Sequence, residues 1–85
     1  MAKLTQSVSA AGWTEISLTT GKNYQIQYQS GNGTAILCEA DSLPDGSDMV
    51  GFVLKPGEGM EICPSEKIYV RSSDTSPVVI IYQEI

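Results

Sequence analysis

Ile68-Tyr69-Val70-Arg71-Ser72 and Val78-Val79-Ile80-Ile81-Tyr82 are two runs rich in β-branched and aromatic residues, separated by the polar segment Ser73-Asp74-Thr75-Ser76-Pro77. Such residues suit a pleated, half-buried surface, and a short polar break between two such runs predicts a hairpin. The second run is apolar on both of its faces, which predicts cover on both sides. It contains no proline and no charge. At an open edge such a strand invites aggregation, so it belongs in the middle of a sheet or beneath another subunit.

The same grammar extends towards the N-terminus. Tyr24, Ile26 and Tyr28 alternate with Gln25, Gln27 and Gln29, a period of two that gives one core face and one row of glutamines. Ile16 and Leu18 alternate with Glu15 and Ser17. Thr34 to Ala40 is apolar enough on both sides to be central, and Val50, Phe52 and Leu54 share one face. Thr20-Gly21-Lys22-Asn23, Ser30-Gly31-Asn32-Gly33 and Lys55-Pro56-Gly57-Glu58-Gly59 punctuate the chain as turns. Strands are therefore expected at 13–18, 24–29, 34–40, 50–54, 60–63, 67–72 and 78–84. About seven short strands at this spacing describe an all-β chain, a small antiparallel β-sandwich or barrel. The expected core is Ile26, Ile36, Phe52, Leu54, Ile62, Val70 and Ile80. On that reading Phe52→Ala costs about 3–5 kcal/mol. Residues 1–11 are small and polar without a sustained period, and read as a flexible arm or a weak edge strand ahead of a single β domain over 12–85.

At 85 residues the chain is one domain. A chain of that size buries only a little over ~60% of its unfolded surface, so subunit contact is a natural source of added stability. No apolar run reaches the ~18 residues that span a bilayer. The first residues lack the apolar stretch of a signal peptide, which predicts synthesis in a cytoplasm. A formal charge of −5, with the cations Lys3, Lys22, Lys55, Lys67 and Arg71 scattered, argues against nucleic-acid binding. Cys38 and Cys63 are the only cysteines, and their separation matches no metal-site spacing. They read as free, buried thiols.

The chain has no histidine, which removes the commonest general base and metal ligand. No serine lies in a nucleophile elbow. We expect no enzymatic activity and no cofactor. Glu39, Asp41, Asp45 and Asp48 cluster around Pro44, but without the alternating order of a calcium loop. They read as ordinary loop residues. Trp13, Tyr24, Tyr28, Tyr69 and Tyr82 offer either a stacking platform for sugars or, more in keeping with β proteins, core and subunit contacts. Candidate interface residues are Gln25, Gln27 and Gln29, as a row that meets solvent or a partner, together with Tyr69 and Tyr82.

The order of elements carries a resemblance. An early Trp13 precedes Gly21-Lys22-Asn23-Tyr24-Gln25-Ile26-Gln27, then Leu54-Lys55-Pro56-Gly57-Glu58, then Ile68-Tyr69-Val70-Arg71-Ser72 and a hydrophobic terminal strand. Over roughly residues 12–85 this resembles small β-rich proteins encoded among the head and tail genes of tailed bacteriophages. The resemblance implies a non-enzymatic virion accessory, a head decoration or tail-associated component. It would be made in the host cytoplasm and incorporated in the virion, with other virion proteins as partners and a homo-oligomer, a trimer, as its working state. It supplies no catalytic residue. The rival classes are a carbohydrate-binding module and a small module that binds a host protein.

Overall fold

The structure, a computed structural model, describes residues 4–8, 12–31, 33–45, 50–73 and 76–85. Those residues form eight strands and no helix. The strands are β1 (Leu4–Val8), β2 (Thr14–Ile16), β3 (Tyr24–Gly31), β4 (Ala35–Ala40), β5 (Phe52–Leu54), β6 (Gly59–Ile62), β7 (Lys67–Ser72) and β8 (Val78–Glu84). One sheet has the order β1-β8-β3-β6 and the other β2-β7-β4-β5. All the pairings are antiparallel. The all-β sandwich expected from the alternation is what the chain forms, with one strand more than expected.

The pairs β1 with β8, β2 with β7, β3 with β6 and β4 with β5 nest inside one another. A long two-stranded ribbon rolled up produces that order, and eight strands arranged so are a jelly roll. Successive strands change sheet at every connection except β4 to β5. The polar segment after β7 is therefore no hairpin turn. β7 pairs with β2 and β4, whereas β8 pairs with β1 and β3. The segment carries the chain across the sandwich, and Ser72 holds its start by donating a hydrogen bond from Oγ to the Ser76 carbonyl, 2.7 Å.

The core lies between the sheets. Val8, Ile26, Tyr28, Val78, Ile80 and Tyr82 from the first sheet meet Ile16, Ala35, Leu37, Leu54, Ile68 and Val70 from the second. Ile26, Leu54, Val70 and Ile80 lie in it as the sequence predicts, and Ile62 packs against it half-buried. Ile36 is buried elsewhere. It joins Trp13 and Tyr69, with Cys38 and Ala40, in a small second cluster on the outer face of the second sheet. Trp13 closes that cluster, its Nε1 donating to the Asp45 carbonyl at 3.1 Å and its ring lying 5.7 Å below the Arg71 guanidinium. Alternation explains the division, since β4 sends Ala35 and Leu37 inward and Ile36 and Cys38 outward.

Three expectations need correction. Residues 4–8 are no flexible arm: they pair with β8 along their length, and Val8 is fully buried. The edge-strand alternative describes them, while residues 1–3 and 9–11 lie outside the described residues. β8 does not have heavy cover on both faces, because Val79 and Ile81 on its outer side are half-buried between neighbouring strands. Its central place in the sheet keeps the backbone of Val78–Tyr82 paired on both sides. The third correction is Phe52, which is 67% exposed and outside the core.

One glycine matters to this architecture. β3 bulges between Tyr28 and Ser30 and ends on Gly31 at φ 131°, where a Cβ would sit 2.9 Å from the Val78 Cα. Only glycine allows both the dihedral and the approach.

Candidate functional site

β5 is short because turn signals confine it. Gly51 precedes it so close to β4 that a Cβ would fall 2.3 Å from the Leu37 carbonyl oxygen. Pro56-Gly57 follows, with Gly57 at φ 84°. The turn is closed from both ends: the Lys55 amide donates to Glu58 Oε1 at 2.8 Å, and the Glu58 amide donates to the Lys55 carbonyl at 2.9 Å. It lifts the chain from the second sheet to β6 in the first. β5 and β6 are thus the last strands of their sheets on one side of the sandwich, and the space between them is its open mouth.

Phe52 stands in that mouth. It pairs with Leu37 and alternates with Leu54, so its side chain is on the inner face. Leu54 is 4% exposed, yet Phe52 at the same face is left largely in solvent. A groove of about 220 Å³ opens beside it, lined by Leu37, Phe52, Met60, Ile62 and Ile68, with Cys38, Glu39 and Cys63 at its margin. Val53, on the other face of the strand, is 54% exposed, and Val50 just before it is 78% exposed. Apolar surface of this kind collects on one rim.

The rim is held in shape by Glu39. Its carboxylate accepts from the Ser65 amide at 2.9 Å and from the Ser65 hydroxyl at 3.3 Å, tying the segment after β6 to β4. Glu39 therefore has a local structural task. Asp45 offers its carbonyl to Trp13, and Asp48 lies outside the described residues. Among the described residues no three carboxylate, thiol or imidazole groups gather as metal ligands would. Neither Cys38 nor Cys63 is in a disulfide; Cys38 is half-buried and Cys63 exposed where buried thiols were expected. Cys38 packs against the outer cluster on the second sheet, and Cys63 follows a strand of the first.

The five interface residues expected from sequence are not brought together as one surface: only Gln25, Gln27 and Tyr82 border a common depression. Gln25, Gln27 and Gln29 are exposed on the outer face of the first sheet. Gln25 stands opposite Gln83, and a shallow depression of about 90 Å³ runs among Gln25, Gln27, Ile81, Tyr82 and Gln83. Tyr69 is buried in the outer cluster of the second sheet, and Tyr82 is buried between the sheets. Burial raises the Tyr82 hydroxyl above its ordinary pKa of 10.0. Tyr24 is buried too, its hydroxyl accepting from the Thr19 amide at 2.8 Å. Trp13 and Tyr28 are equally buried, so none of these five aromatics forms an open stacking platform. They serve the two cores.

Sequence reasoning placed Phe52 in the core because it shares a face with Val50 and Leu54. The signal against that was present in the run itself. Glycine on one side and Lys55-Pro56-Gly57 on the other leave three strand residues, the length of an edge. No family model, curated protein or solved structure matches the chain.

Proposed function

We propose that this chain is a non-enzymatic structural protein of a tailed-bacteriophage particle, a head-decoration or tail-associated component that works by self-association and attachment. The observation that carries the proposal is the apolar rim: Val50, Phe52 and Val53 project into solvent within one four-residue run beside an apolar groove. Exposed apolar clusters of this kind mark interaction surfaces. Two further lines lend support. Jelly rolls serve in viral capsids as well as in lectins, an analogy at the level of fold. The resemblance in the order of elements is what supports the tailed phage and the virion. The rival sugar-binding reading loses its aromatic platform to the cores and keeps only the neutral glutamine depression on the first sheet.

The test is direct. Phage particles purified from the host that carries this gene are probed with an antibody to the chain, and the molar mass of the isolated protein is measured in solution. Stoichiometric presence in particles, with association in solution, is the expected result. Absence from particles ends the virion reading, and glycan-array binding with a monomeric mass would transfer the assignment to the sugar module.

A further inference from the structure

Which surface makes the self-contact, and with what symmetry, follows from the edges of the two sheets. The sandwich has four edge strands: β1 and β6 in the first sheet, β2 and β5 in the second. An edge strand presents backbone donors and acceptors that only another strand satisfies along its length. For β5, no backbone hydrogen bond beyond its pairing with β4 is made among the described residues. Its occupant is therefore a strand, and an apolar one, because Phe52, Val53 and Leu54 carry no charge.

The edges differ in what they allow a second copy to do. The chain carries −5, so copies repel unless they meet where charge is absent. β2 holds Glu15, which would meet its own copy across a two-fold axis, and β6 holds Glu61, which would lie one place from the axis and bring two carboxylates close. β1 is uncharged too, but it is polar at Thr5, Gln6 and Ser7, whereas β5 carries apolar residues alone. Its sequence is also self-complementary in the antiparallel sense. With the axis at Val53, Val53 faces Val53 of the second copy and Phe52 faces its Leu54. That places the exposed phenyl ring beside the partner's core position and covers the open mouth of both sandwiches.

Resting on the self-association reading, we infer that two copies of this chain pair antiparallel through β5 about a two-fold axis at Val53, joining the two four-stranded sheets into one. The contact closes on itself, so it yields a dimer. A three-residue edge is shorter than a standard interface needs, and the dimer is correspondingly weak.

Sedimentation equilibrium from about micromolar to millimolar tests this through Val53, which is half exposed and outside the core. The wild-type mass is expected to rise from 9.1 kDa towards twice that value with concentration. Val53→Lys sets two ammonium groups against each other on the axis and is expected to hold the mass at the monomer value. Val53→Glu alone is expected to do the same. An equimolar mixture of the two variants is expected to recover the dimer mass, a rescue that mere misfolding could not give. Association of Val53→Lys at wild-type strength, a mixture that stays monomeric, or a threefold mass would each overturn β5 pairing while leaving self-association standing. A wild-type chain that is monomeric up to millimolar concentration would overturn both.

Discussion

The run Val78–Tyr82 of β8 and the whole of β5 are apolar and uncharged, and they meet opposite fates. Val78–Tyr82 of β8 runs between β1 and β3, with Val78, Ile80 and Tyr82 buried and the backbone flanked on both sides. β5 has β4 on one side only, and two of its three side chains are mostly in solvent. The difference is one of neighbours, since composition and alternation are alike. An apolar strand is stabilising where two strands flank it and a second sheet covers it. At an edge the same pattern becomes a surface for association.

The sharpest way to break this comparison is a pair of truncations. Ile80→Ala removes fully buried atoms and is expected to cost about 2–5 kcal/mol in chemical denaturation, a large share of the ~5–15 kcal/mol that holds such a domain. Phe52→Ala, at concentrations where the chain is monomeric, is expected to cost about 1 kcal/mol or less. Equal losses in the two variants would mean that the mouth is closed in solution. Removing residues 1–8 should come next. It takes away fully buried Val8, worth on the order of 1.5–3 kcal/mol, and turns β8 into an edge. Lower stability and new aggregation are expected, and a truncated chain that melts and stays soluble like the intact one would deny β1 its role in covering β8.

Smaller effects separate the two cores. Trp13→Phe retains most of the apolar bulk of the outer cluster but loses the bond to the Asp45 carbonyl, so about 1 kcal/mol should go, read as a lower denaturation midpoint. For Tyr82 the sign is set by the neutral hydroxyl. Burial raises its folded-state pKa above the 10.0 of the unfolded chain, so its contribution is complete below pH 10 and falls as pH rises through the folded value. Melting curves from neutral to strongly alkaline pH should show a loss that shrinks in Tyr82→Phe. An unchanged alkaline profile would show that the ring is not desolvated. The least effect belongs to Gln25→Ala on the exposed outer face, within about 0.5 kcal/mol, and a larger drop would mean that the glutamine row is covered.

Much of this was legible in the residues. Tyr24, Ile26 and Tyr28 against Gln25, Gln27 and Gln29 gave face and period together, because a strand sends successive side chains to opposite sides whatever surrounds it. The glycine and proline clusters gave the breaks, since they restrict dihedrals locally. The absence of helix among the described residues, the core places of Ile26, Leu54, Val70 and Ile80, and most of the approximate strand bounds followed from the same local rules. The candidate site was less legible. The glutamine row was visible, but the rim at Phe52 was not.

What the sequence alone determined was therefore the state of each segment and the side chains that share a face. Only the tertiary structure decided which sheet each strand joins. Ile68–Ser72 and Val78–Tyr82 look like a hairpin, yet they lie in opposite sheets, because β2 and β4 flank β7 whereas β1 and β3 flank β8. Tertiary pairing likewise placed Ile36 beneath Trp13 and left Phe52 uncovered. The physical reason is that alternation is a property of one strand, whereas cover and pairing belong to residues far away in the chain. Phe52 and Leu54 have the same orientation, and the reach of the opposite sheet decides which of them is dry.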